Sequence, residues 1–331
     1  MIAVTGATGH IGNVLVRQLL QKFNGSESIR VLVPPGETLE SLKGSLVELA
    51  VCDVTDYAAV LQSLRGARLV FHLAGVISIV RGKRDLMERV NVQGTANVLR
   101  AAKEAGVRRV VHVSSVHAFI EPEGGGAIDE STPVDPGRVL GDYAHTKASA
   151  TLLARQAAAA GQDVVIVHPT GVIGPYEFRN SHTGAMLKGL IGRKYPMKFG
   201  GKYDFVDVRD VAAGILLAAE RGRAGESYIL GGSCISIAEL FEIVSRLCGY
   251  PPPRRNAPLW LLKAVAPFAE AWAKLRRTTP TFTPYSLQTL LSNCNISSAK
   301  ARAELGYAPR PIAATLDDCV RWINKEEVGW V

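Results

Sequence analysis

Met1-Ile2-Ala3-Val4-Thr5-Gly6-Ala7-Thr8-Gly9-His10-Ile11-Gly12 opens the chain, and Val14, Leu15, Leu19 and Leu20 follow at helical spacing. An apolar run, a glycine turn and an amphipathic segment in that order predict strand, tight turn and helix. Glycine at 6, 9 and 12 lets the turn close, admits a pyrophosphate near the backbone, and allows helix to lie close on strand. The first N–H groups of the helix would then face the phosphates. The spacing differs from the Gly-x-Gly-x-x-Gly fingerprint, so the reading rests on the turn's place between first strand and first helix. Gly6, Thr8, Gly9, His10, Ile11 and Gly12 are the candidate dinucleotide contacts in this turn.

The same alternation continues outward. Residues 29–33 read as a second strand ending in Pro34-Pro35-Gly36, where an acid would normally hold the ribose of NAD. With neither acid nor arginine at that end, the sequence favours NADP(H) over NAD(H) by a small margin. Residues 46–51 form a third strand, followed by Asp53 and Val54; Asp53 serves either as an adenine acceptor or as the cap of the next helix. Residues 69–73 are a fourth strand leading to Leu73-Ala74-Gly75, where small residues let backbone pass close to a cofactor ribose. Residues 85–105 read as one long helix containing Asn91, and residues 110–113 as a strand running into Ser114-Ser115. A loop rich in Gly, Pro and acids spans 121–141, and residues 164–167 form a sixth strand leaving through His168-Pro169-Thr170-Gly171-Val172. Alternating strands and helices predict an α/β fold of Rossmann type, a doubly wound parallel sheet. Residues 1–175 are expected to form the dinucleotide-binding domain, completed by about 203–231, with a smaller, mostly helical substrate lobe from 176–202 and 232–331.

Tyr143-Ala144-His145-Thr146-Lys147 holds the candidate chemistry. On a helix, positions i and i+4 share a face, so the Tyr143 phenol and the Lys147 ammonium reach one small volume. A cation about 4 Å from a phenol is worth about 4 kcal/mol at an effective dielectric of about 20, which makes the phenol a better acid.

Composition bounds the rest. The 331 residues carry a net charge of +8, with 47% hydrophobic and 21% charged residues. The basic residues are scattered and lack aromatic interleaving, which argues against a nucleic-acid partner and suits a phosphorylated cofactor or acidic substrate. Cys52, Cys234, Cys248, Cys294 and Cys319 show neither a Cys-x-x-Cys pair nor metal spacing, so reduced thiols in a cytoplasmic protein and no metal are expected. No export leader is visible before the first strand. The apolar stretch 259–275, interrupted by Lys263, Pro267, Glu270 and Lys274, is too charged for a bilayer span. It is read as a lid over an apolar pocket, or alternatively as a membrane-surface helix.

Together, Gly6/Gly9/Gly12, Asp53, His72-Leu73-Ala74-Gly75, Asn91, Ser114-Ser115, Tyr143/Lys147 and residues 168–175 resemble the extended short-chain dehydrogenase/reductase family. The resemblance leans to its dihydroflavonol reductase and 3β-hydroxysteroid dehydrogenase side. It implies an NAD(P)-dependent enzyme in which Tyr143 exchanges a proton with the substrate oxygen, Lys147 lowers the tyrosine pKa and holds the nicotinamide ribose, and Ser115 hydrogen-bonds that oxygen. Asn91 is implied to be structural or part of a proton path, and Ser114, Pro169, Thr170 and Val172 to lie at the cofactor. Ser78, His117, Tyr176, Arg179 and Tyr203 are the candidate substrate contacts. Sugar-nucleotide epimerases and dehydratases of this family carry an arginine where Tyr203 stands, which argues against a nucleotide-sugar, although Arg179, Lys202 or Arg209 could replace it. The alternatives to a reductase of apolar ketones or aldehydes are therefore a sugar-nucleotide epimerase or dehydratase, and a non-catalytic NADP sensor. Similar proteins commonly pair the helices near Asp85 and Tyr143 across a homodimer.

Overall fold

The computed structural model describes residues 1–78, 82–179, 181–258, 260, 264 and 293–329. Six strands, β1 (Ile2–Thr5), β2 (Ile29–Val33), β3 (Glu48–Val51), β4 (Leu69–His72), β5 (Arg109–Val113) and β6 (Val164–Pro169), build the large sheet in the first half of the chain. Four further strands, β7 (Gly171–Ile173), β8 (Lys198–Phe199), β9 (Lys202–Asp207) and β10 (Ser227–Leu230), follow. The large sheet has the order β10-β6-β5-β4-β1-β2-β3, and every pairing in it is parallel. The order reverses between β1 and β4, which opens a crevice at the carboxyl ends of those strands.

Both faces of the sheet are covered, so its inner strands are near-continuous apolar runs. Helices α1 (His10–Phe23), α2 (Tyr57–Leu64), α3 (Arg84–Met87), α4 (Gly94–Glu104), α5 (Asp142–Ala159), α6 (His182–Ile191) and α7 (Val208–Arg221) intervene between strands. Val14, Leu15 and Leu19 of α1 and Val211 and Ile215 of α7 pack on one face. Val60 and Leu64 of α2, Val98 and Leu99 of α4 and Ala154 of α5 pack on the other. Ala144, Ala148 and Ala150 of α5 are also buried, and their small side chains let this helix lie close against its neighbours.

Several expectations are corrected. The single helix expected over 85–105 is interrupted: α3 passes into a π turn at Glu88–Gln93 before α4 begins. Gly94 marks the junction, since a Cβ there would stand 2.7 Å from Val54 Cγ2. Asp53 does not cap α2; Asp56 does, accepting from Ala59 N, while the Asp53 carboxylate accepts from Thr55 N and Thr55 Oγ1, both at 2.9 Å. β9 joins β7 and β11 (Ser233–Ser236) in a separate three-stranded sheet, whereas β10 joins the large one. α6 was not foreseen; Ser181 caps it through Gly184 N, and Leu187 and Leu190 anchor it. With α8 (Ile237–Leu247), β12 (Asn256–Ala257) and the closing helix Ile312–Ile323, these elements share a second core around Phe199, Phe205, Phe241 and Leu316.

The expectation of reduced thiols fails for one pair. Cys234 on β11 is joined to Cys294 by a disulfide across 60 residues, while Cys52, Cys248 and Cys319 are free. Beside that bridge, Ile296 pairs with Ile128 of the crevice loop, and Asn293 and Asn295 donate to the Gly126 and Gly125 carbonyls. The loop expected over 121–141 is thus tied down from the C-terminal side. The stretch 259–275, expected as a lid, lies outside the described residues apart from 260 and 264. Among the described residues no helix is long and apolar enough to cross a membrane, and no cluster of His, Cys, Asp or Glu is arranged to hold a metal.

Candidate active site

The glycine turn is built for close approach. Gly6 has φ +69, and a Cβ on it would meet Ala74 N at 2.7 Å; one on Gly12 would meet Gly6 O at 2.1 Å. Thr5 Oγ1 receives Leu73 N and Ala74 N at 3.2 and 3.1 Å, which fastens the end of β4 beside the turn. Gly9 begins α1 with no side-chain cap, and no acid stands in the first helical turn. Uncapped N–H donors with no acid in their own turn fit a dinucleotide pyrophosphate. Gly75 is exposed next to Ala74. Val54 has its side chain in the core beside Gly94.

His10 and Thr8 turn out to be connectors. His10 Nε2 bonds Pro175 O at 2.8 Å, and Asn13 Nδ2 reaches Gly9 O, His10 O and Tyr176 O at 2.8, 2.9 and 3.3 Å. Thr8 Oγ1 accepts from Arg179 Nη2 at 2.8 Å. The cofactor turn is therefore bolted to the chain leaving β7.

Tyr143 lies half-buried in the first turn of α5 and Lys147 one turn later, buried. Lys147 Nζ donates to Val113 O at the end of β5, at 2.8 Å. Burial lowers its pKa from 10.5 to about 8, so the ammonium is held close to the point of proton release. Ser115 follows β5, 7% exposed, and its Oγ accepts from His117 N at 3.3 Å. Ser114, expected at the cofactor, has its hydroxyl 2.6 Å from Thr151 Oγ1 of α5, a brace between strand end and helix.

Asn91 acts as a latch. Its Oδ1 accepts from Val76 N at 2.7 Å, and its Nδ2 donates to Val76 O and Thr146 Oγ1, both at 3.0 Å. The extra residue of the π turn swings this side chain between the segment after β4 and the helix carrying Tyr143. Asn91, a candidate at the cofactor, thus ties the segment after β4 to α5.

Of the expected substrate contacts, His117 and Tyr203 come together. His117 Nε2 lies 2.7 Å from Tyr203 Oη, the two rings stack at 6.1 Å, and the imidazole meets the Tyr143 ring edge-on at 6.3 Å. Burial pushes the His117 pKa down to about 4, so this imidazole is neutral. Gly171 makes the arrangement possible, because a Cβ there would sit 2.4 Å from Tyr203 Cε1. Pro169 ends β6, Thr170 donates to Asp204 Oδ1 at 2.6 Å, and Val172 lies half-buried in β7. Ser78 is half-buried on the segment after β4. Tyr176 is 2% exposed, packs on Trp322 and donates to Val328 O. Arg179 lies at the glycine turn, on Thr8 and Glu37.

Three histidines, His72, His112 and His168, stand on the sheet face beneath α4 and α5, and nothing in the local pattern marks His112. His72 bridges Thr5 Oγ1 and Thr95 Oγ1 at 2.8 and 3.0 Å, and its ring lies 5.4 Å from that of His112. His168 bonds Ser115 O at 3.1 Å. Burial, and then the Lys147 charge, pull His72 down to about 3 and His112 well below its usual value; burial likewise takes His168 to about 3. All three are neutral beside the buried Lys147, whose charge acts on each of them.

A glycine turn at the switch point of a parallel sheet, with Tyr143 and Lys147 on the helix that packs beside the end of β5, is the arrangement of an NAD(P)-dependent enzyme of the extended short-chain dehydrogenase/reductase type. The model of the NAD dependent epimerase/dehydratase family matches residues 2–231, and the chain belongs to that family. It is 35% identical over 325 residues to sterol demethylase protein B of Methylococcus capsulatus, covering 97% of this chain and 98% of that protein. It is 34% identical over 331 residues to a putative dihydroflavonol 4-reductase of Synechocystis, covering 97% and 94%. Among solved structures, gox2253 superposes with a TM-score of 0.85 at 33% identity, covering 98% of both chains. DesIV, a dTDP-glucose 4,6-dehydratase of Streptomyces venezuelae solved with NAD, gives 0.78 at 26% identity, covering 98% and 97%.

Proposed function

We propose that this protein transfers a hydride between nicotinamide and a ketone, aldehyde or secondary alcohol on a fairly apolar substrate, with Tyr143 as its acid and base. The observation that carries this reading is the convergence of Tyr143 and buried Lys147 on one face of α5 with Ser115 at the end of β5. Held at the glycine turn and by Lys147, a nicotinamide cofactor would supply the hydride to the carbonyl carbon in reduction, or take it from the carbinol carbon in oxidation. In reduction, the Tyr143 hydroxyl delivers its proton to the substrate oxygen while the Ser115 hydroxyl donates a hydrogen bond to it. Lys147 stabilises the phenolate left behind, and its bond to Val113 O keeps the ammonium in place. Asn91 fixes the helix that presents both groups.

An apolar substrate is supported by the sterol and flavonol names of the relatives and by the phosphate-clamp position. Tyr203 occupies that position and is engaged with His117. Arg209, which could have replaced the missing clamp, is 2% exposed and held by Asp207 and Asp318. NADP(H) is favoured over NAD(H) as the cofactor. Tyr143→Phe should lower turnover by about 10²–10⁴-fold while leaving dinucleotide affinity unchanged. Normal turnover by that variant would end this mechanism.

A further inference from the structure

The end of β2 is where a Rossmann-type site distinguishes its two dinucleotides, an acid holding the ribose hydroxyls or an arginine accepting the 2′-phosphate. Locally the chain offers Pro34-Pro35-Gly36 there. In three dimensions the same place holds one group of each kind. Glu37 follows immediately, its N–H turned back onto Pro34 O at 3.3 Å. Arg179 arrives from the chain beyond β7, 142 residues away, and its Nη2 forms an ion pair with the Glu37 carboxylate. The same nitrogen donates to Thr8 Oγ1 at 2.8 Å, inside the glycine turn. Ser41 Oγ donates to Thr8 O at 3.1 Å and Arg17 Nη2 to Ser41 O at 3.0 Å, so a second guanidinium stands behind the first.

We propose that Arg179 and Glu37 form an exchangeable clasp at the adenosine end of the cofactor site, in which a 2′-phosphate takes the place of the Glu37 carboxylate on Arg179 and thereby selects NADP(H). This rests on the reading of the glycine turn as a dinucleotide site. Glu37 alone would repel a 2′-phosphate, but its charge is already met by Arg179. A phosphate monoester carries about −1.5 to −2 charges at neutral pH against one for the carboxylate, and a guanidinium binds it through two parallel hydrogen bonds. The Arg179 side chain is 47% exposed, and Glu37, 19% exposed while paired, lies on a turn between exposed Gly36 and Thr38. Rotation of its side chain takes a displaced Glu37 carboxylate into water.

The test is calorimetric titration of the full chain with 2′,5′-ADP and with 5′-AMP, two fragments that differ only in the 2′-phosphate and lack a nicotinamide, so that binding is read apart from turnover. The native protein should bind 2′,5′-ADP at least about tenfold more tightly than 5′-AMP, the worth of one charge-assisted contact. Arg179→Ala should remove that preference by weakening 2′,5′-ADP alone. Glu37→Gln should tighten 2′,5′-ADP and leave 5′-AMP as it was. Equal binding of the two fragments by the native protein, or equal weakening of both by Arg179→Ala, would sink the clasp while leaving the dinucleotide site intact. Failure of the native protein to bind either fragment would remove both. Thermal melts of the two variants separate these results from misfolding.

Discussion

Replacing Lys147 by methionine should make the protein more stable and inactive at once. The folded-state pKa of this lysine lies at about 8 against 10.5 for the exposed group, because burial penalises its charge. That difference corresponds to about 3 kcal/mol. Between the two values the unfolded chain keeps a proton that the folded chain has released, so the lysine's contribution to stability rises with pH across that window. At about pH 7 both states are protonated, and folding carries the whole penalty. Methionine removes it but also loses the donor to Val113 O, a bond worth about 1 kcal/mol. The net expectation at about pH 7 is a gain of about 2 kcal/mol, shrinking as pH approaches about 10. Urea denaturation of native and variant protein at both pH values measures it, the difference between them cancelling every other titrating group. A variant less stable than the native chain at neutral pH, or a gap that does not change with pH, would refute the account of a desolvated cation held for function.

Two other perturbations probe the periphery of the site. Reduction of the Cys234–Cys294 bridge, which closes 60 residues, should cost up to about 4 kcal/mol of unfolding free energy by loop-closure entropy; a melt unchanged by reductant would contradict that. Gly171→Ala should drive the Tyr203 ring off His117, since the new Cβ would overlap Cε1 at 2.4 Å. A stability loss of about 1–3 kcal/mol with a raised KM is expected, and unchanged kinetics would show that the pair does not border the substrate.

Strands were legible where both faces are buried, because continuous apolar runs have few other interpretations. Residues 29–33 fall where the pattern put them, and 164–167 lie within β6. The π turn at Asn91 was not legible: one extra residue in a helical run shifts the periodicity too little to be seen in a single sequence. Asp53 and Asp56 stand three apart, each followed by a helix-compatible segment, and only the Ala59 bond shows which one caps. Contacts across long separations leave no local trace. Arg179 on Glu37, Ile128 on Ile296, Cys234 on Cys294 and the neighbouring rings of His72 and His112 belong to this class. Tyr143 and Lys147 were legible because one helix turn brings them together, and Ser115 because it ends a strand.

The bolt between the glycine turn and the chain leaving β7 has a consequence for how this protein tolerates change. Asn13 and His10 hold the Tyr176 and Pro175 carbonyls, and three residues later Arg179 returns to Thr8. Substitutions on the two sides share partners, so their free energies should not add. A substitution at Thr8 or Glu37 should therefore change the effect of one at Arg179 or Tyr176, so the glycine turn and the segment that leads into α6 behave as one unit of inheritance.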